Sequence, residues 1–96
     1  MHKIFKYQLK IQEKQEIVLP KDAKIIRVDD VDGMFFLWAI VNADAGWPTE
    51  VRYLEFYKTG QPIDKPEGLC YIGFCKLFIM QELGLYVFER CEAHVR

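Results

Sequence analysis

Three cysteines and two histidines are the side chains of this 96-residue chain best suited to metal binding or nucleophilic attack. Cys70 and Cys75 lie five positions apart, and an odd separation on a regular strand turns two side chains to opposite faces. A bulge at Gly73 would restore a common face. Cys91 and His94 make a CxxH pair near the end of the chain, and His2 joins them only if the termini meet. A structural zinc site needs four ligands at recognisable spacing, so no metal or cofactor is expected. An odd cysteine count without a leader sequence fits reduced thiols that serve as small buried hydrophobes.

Other chemistries have less material. Asp29, Asp30 and Asp32 precede Gly33, but a calcium loop needs more oxygen ligands and a later bidentate glutamate; a solvated hairpin turn is the expectation. The chain contains no serine, and both histidines sit close to its ends, so a nucleophile–base pair has little to draw on. No glycine-rich phosphate loop occurs. The protein is therefore expected not to be an enzyme.

Charge is uneven although the net value is −1. Residues 1–24 carry six lysines against three acids, and residues 25–67 carry four basic residues against eight acids. A nucleic-acid-binding domain usually shows a clear basic excess, and alternation puts Lys6 and Lys10 opposite Phe5 and Tyr7. The expectation is thus a solvated lysine face and no nucleic-acid partner.

These side chains must be positioned by strands, because period-two patterns recur and 3.6-residue periodicity does not. In "KIFKYQLKI" Phe5, Tyr7, Leu9 and Ile11 share one face and the polar residues the other. "QEIVLP" is a short strand stopped at Pro20, and "AKIIRVDD" is a third. Asp32-Gly33 between apolar runs predicts a tight hairpin. Met34–Val41 is apolar at every position, which predicts a central strand covered on both faces. "EVRYLEFYK" is a fifth strand whose inward face parity does not settle. "TGQPIDKPEG" is a loop, and "LCYIGFCKLF" is a strand with a bulge or close backbone approach at Gly73. "QELG" is read as a turn before a last strand, "LYVFERC". The pattern predicts one all-β domain over residues 1–96, with about seven mostly antiparallel strands in a small sandwich or partly open barrel and a frayed tail at 92–96. No apolar run approaches the roughly 20 residues of a membrane-spanning helix. The N-terminus has no signal-peptide pattern, so the expected location is a cytoplasm.

The order of segments resembles a family of small proteins encoded by bacteriophages and prophages. The similarity is carried by "KIFKYQL" at Lys3–Leu9, "LPKDAKII" at Leu19–Ile26, "LWAIV" at Leu37–Val41, "TGQPI" at Thr59–Ile63, "YIG" at Tyr71–Gly73 and "VFE" at Val87–Glu89. It implies a phage accessory setting, in which small proteins often inhibit host enzymes or defence systems, and carries over no activity. Trp47, between Gly46 and Pro48, is either a lid on the end of the sandwich or a contact for a partner. Trp47, Tyr53 and Tyr57 are the expected anchors of an interface with a host protein or with a second copy in a homo-oligomer. Arg52 and Glu55 would set polarity at its rim. The alternative is a small-ligand protein that sequesters a nucleotide, with aromatics stacking the base and arginine holding phosphate. A third possibility is an oligomeric structural component.

Overall fold

The computed structural model describes residues 1–91; the expected frayed tail at 92–96 and His94 lie outside the described residues. Seven strands follow one another: β1 (His2–Leu9), β2 (Lys14–Pro20), β3 (Lys24–Val31), β4 (Met34–Asn42), β5 (Thr49–Tyr57), β6 (Leu69–Ile79) and β7 (Gln81–Arg90). A single 3-10 turn, Pro66–Gly68, ends the long loop before β6. Among the described residues no helix is long and apolar enough to cross a membrane.

The strands form two antiparallel sheets. One has the order β1-β4-β3 and the other β2-β5-β7-β6. The β3–β4 hairpin turns at Asp32 and Gly33, both with positive φ (52° and 80°), which is why an Asp-Gly pair is needed there. The β6–β7 hairpin reverses at Met80, ahead of the expected "QELG" turn. Ile79 pairs with Gln81 around Met80, so all four of those residues belong to β7. Apolar side chains at Phe78, Ile79 and Met80 give no punctuation that would mark a reversal.

The two sheets face each other across one apolar layer. Phe35, Leu37, Ala39 and Val41 point inward from β4 and meet Leu54 and Phe56 of β5, Cys75 of β6 and Val87 of β7. Phe35 stacks on Phe56 with ring centroids 5.6 Å apart. Burying a side chain of this size is worth about 1.5–3 kcal/mol. The β5 ambiguity resolves in favour of Leu54 and Phe56 as the core face.

The sheets approach closely along one side only. There β3 lies against β6: the Asp30 carboxylate accepts the Lys76 amide at 2.7 Å. A Cβ on Gly73 would lie 2.7 Å from both the Cβ and the carbonyl oxygen of Val28. The expected irregularity is present, since the β6–β7 register shifts between Tyr71 and Gly73. On the other side β1 pairs only with β4 and β2 only with β5, so the barrel does not close. The body measures 44 × 35 × 16 Å.

Two further expectations change. β4 is central in its sheet, but only its inward face is covered: Phe36, Trp38 and Ile40 remain half-buried on the outer face. Cys70 and Cys91 are joined as a disulfide with Cα atoms 6.5 Å apart, so only Cys75 is a free, buried thiol. The pairing follows from register: Cys70 opposes Glu89 and Leu69 opposes Arg90, which places Cys91 just past the same end of the ladder.

Candidate functional site

The five residues expected to form an interface divide between surface and internal contacts. Trp47 is exposed, but its indole Nε1 donates to the Lys21 carbonyl at 3.0 Å. The ring is folded back over the β2–β3 turn, the lid position. Tyr53 is half-buried. Tyr57 and Glu55 are buried. Arg52 lies on the core face of β5 and caps one end of the apolar layer. Its guanidinium grips the Glu89 carboxylate through Nε and Nη2, the latter at 3.0 Å, and Nη1 donates to the Ala23 carbonyl at 2.9 Å. Such bidentate geometry fixes both partners.

Glu55 and Tyr57 belong to a second network on the outer face of the larger sheet. Arg90 Nε and Nη2 donate to Glu55 Oε2 and Oε1 at 2.8 and 3.0 Å. Arg90 Nη1 also donates to the Lys65 carbonyl at 2.6 Å, which ties the loop before β6 to the sheet. The Tyr57 hydroxyl donates to Glu55 Oε1. The guanidinium hydrogen bonds hold the Glu55 carboxyl below the usual carboxylate range, against the opposing effect of burial. Burial first, and then the Glu55 carboxylate, push the Tyr57 phenol up to about 12. The phenol therefore stays a donor at neutral pH. Glu55, Tyr57 and Arg52 thus hold the framework together and present little to a partner.

What the outer face of β6–β7 does present is a row of apolar rings. Alternation from Phe74 through Lys76 to Phe78 on β6, and from Glu82 through Gly84 and Tyr86 to Phe88 on β7, sets these side chains on one side. Phe74 packs edge-on against Tyr86 with centroids 5.0 Å apart. Its ring lies over Gly84, where a Cβ would meet Phe74 Cζ at 2.5 Å. Tyr71 meets Phe88 edge-on at 5.8 Å, and Phe88 meets Tyr57 at 6.1 Å. Toward the tip the row leaves the body of the sheet, because β5 pairs with β7 only as far as Tyr86. Cys75, Leu77 and Leu85 still pack on the core there and the Lys76 amide still bonds to Asp30 of β3, so only the last two pairs, Phe78–Glu82 and Ile79–Gln81, form a short two-stranded arm. Tyr71, Tyr86, Phe78 and Met80 are 60, 41, 76 and 97 % exposed.

The Lys76–Glu82 ion pair divides this face into two apolar parts, the Phe74, Tyr86, Tyr71 and Phe88 rings on the sheet and Phe78 with Met80 at the tip. Exposed single hydrophobics are ordinary, but large ones grouped in this way mark an interaction surface. The sequence signal was the apolar run Phe78–Met80 beside "QEL". It was obscured by placing the turn at Gln81–Gly84, which made these residues part of an ordinary strand end.

Concave features are modest. A cavity of about 160 Å³ opens between the sheets where Phe35 and Phe56 meet Leu77, Leu83 and Leu85. That is below the roughly 300 Å³ at which small-molecule sites begin. An open depression of about 400 Å³ beside Tyr53 passes that size, but it contains Arg90, whose guanidinium is already committed to Glu55 and the loop carbonyls. Among the described residues no group of three or more His, Cys, Asp or Glu side chains is placed to hold a metal ion. The free thiol of Cys75 is pushed up to about 12 by burial and then by the charges of Asp30 and Asp29, so it is a poor nucleophile.

A family model described as a domain of unknown function (DUF7352) matches residues 1–96. No curated protein and no solved structure matches the chain.

Proposed function

We propose, taking as premise that the chain belongs to the DUF7352 family, that it is a non-enzymatic interaction protein which occludes an apolar cleft of a partner protein with its β6–β7 arm. One observation carries this: Phe78 and Met80, the most exposed large side chains on the arm, stand at the tip of the hairpin, beyond the point where β5 stops pairing with β7. Tyrosine, phenylalanine and methionine are enriched where protein interfaces bury their centres. The arm is preformed by its ladder, so docking orders little new backbone. Lys76 and Glu82, paired at 3.5 Å, set a polar pair between the tip residues and the Phe74 and Tyr86 rings. The phage or prophage setting implied by the similarity in "LPKDAKII", "TGQPI" and "YIG" makes a bacterial host enzyme or defence protein the partner class.

The test is capture from host extract, identification of the captured protein and reconstitution with it in purified form. Phe78→Ser with Met80→Ser is expected to weaken the purified complex at least thirtyfold, the effect of losing one interface hot spot. An unchanged dissociation constant in the double variant would refute the arm as the docking element.

A further inference from the structure

The outer face of the three-stranded sheet carries a different chemistry. Register places three rows across it: Gln8–Phe36–Asp29, Lys6–Trp38–Arg27 and Ile4–Ile40–Lys24. The central column is therefore Phe36, Trp38 and Ile40, with cations on both flanking strands. Lys6 Nζ lies 4.7 Å from the Phe36 centroid, and the Arg27 guanidinium lies 4.6 Å from that of Trp38. The two rings sit 6.2 Å apart. The face holds one acid, Asp29, already paired with Arg27 at 2.7 Å. Its neighbour Asp30 turns away to accept the Lys76 amide. Among the described residues no strand packs over this face.

We infer that this face is a platform for single-stranded nucleic acid, about two nucleotides long, with bases stacking on Phe36 and Trp38 and phosphates met by Lys6, Lys24 and Arg27. Successive same-face residues on a strand lie about 7 Å apart and neighbouring strands about 4.8 Å. Two stacking positions therefore follow one another along β4, with a cation at reach on either side. Proteins that hold single strands without sequence preference combine these parts: aromatic faces that accept any base and a positive margin that follows the backbone. Because Lys6 and Arg27 each cover one face of these rings in the free protein, a base takes the cation's place over the ring as that cation moves to a phosphate, or stacks on the Arg27 guanidinium plane. A protein partner fits less well, because lysine is depleted at the centre of protein interfaces, and here it lies directly over a ring. The chain's net charge of −1 conceals the patch, since the acids are concentrated elsewhere.

Anisotropy titrations of fluorescein-labelled oligo-dT and oligo-U, at low salt, test this. Parallel arms use a duplex of equal length and phosphatidylserine vesicles. Single strands are expected to bind and to quench Trp38 in a Trp47→Phe background. The logarithm of affinity should fall against log salt with a slope of about −2, for three neutralised phosphates on a single strand. Lys6→Glu with Arg27→Glu should weaken binding at least tenfold, and Trp38→Ala about tenfold. If Trp38→Ala fails to fold, the charge reversals decide, because both lie at exposed positions. The proposal is overturned by no single-strand binding, by equal duplex binding, by vesicle binding alone, or by full affinity in the charge-reversed variant. None of these outcomes bears on the β6–β7 arm, which lies on the other sheet.

Discussion

Glu55 shows how one buried charge organises the larger sheet. Its carboxylate accepts two hydrogen bonds from Arg90 and one from Tyr57, and Arg90 in turn fastens the loop at Asp64 and Lys65. Because the folded-state pKa of Glu55 is depressed, its contribution is fully present above the unfolded value of about 4.3. That contribution is lost as pH falls through the folded value. Glu55→Gln would leave Arg90 charged and half-buried without its counter-ion. The expected cost is about 2 kcal/mol at pH 7, less than for a fully buried pair because both side chains keep some water contact. In a domain of this size that is roughly a 10 °C drop in Tm. The gap between wild type and variant should begin to narrow below the unfolded value and close only as pH falls beneath the depressed folded one, where the carboxyl of the wild type is protonated too. Thermal melts followed by circular dichroism at pH 7 and across a series of falling acid pH values check both statements.

At the scale of elements, the contact of β6 with β3 depends on a missing side chain. Gly73 lets the two backbones meet at Val28, and the atoms a Cβ would strike include the Val28 carbonyl, which cannot swing aside as a side-chain tip can. Gly73→Ala should therefore push the sheets apart and lower stability by about 2 kcal/mol, as overpacking does. Amide exchange should report lost protection at Lys76, whose N–H bonds to Asp30. The sequence pattern pointed to this glycine correctly, as it did to the Asp32-Gly33 turn, because backbone conformation and close approach leave a local mark. What it could not supply was coverage. Met34–Val41 is apolar at every position, yet nothing in that run says whether a second layer lies over Phe36 and Trp38. The answer depends on strands 20 or more residues away. The cations over those rings come from β1 and β3, and only the register that brings Lys6 and Arg27 opposite Trp38 makes them neighbours. Similarly, parity leaves the face of Glu55 and Tyr57 open; they lie on the outer face and are buried because Arg90 and the loop close over them.

The whole molecule is thin, 16 Å in its shortest dimension, with a single apolar layer and two outward faces of different character. One offers rings with a projecting apolar arm; the other offers rings beneath cations. In the larger sheet β7 lies between β5 and β6, so its removal deprives both neighbours of their ladders and takes Val87 from the core. A fragment comprising residues 1–79 is expected to show no cooperative thermal transition by circular dichroism, whereas the full chain melts in one step. A cooperative melt of the fragment would mean that the three-stranded sheet can stand without the complete second layer.

The interleaved strand order has a consequence for biogenesis. On the ribosome β1 emerges with no partner until β4 has followed it, and β2 waits for β5, so each early segment stays unpaired while more than twenty further residues are made. The last strand, which bridges β5 and β6, completes the larger sheet only once Gln81–Arg90 has emerged. The three-stranded sheet can therefore pair well before the four-stranded one, and its apolar inner face waits for the layer that covers it.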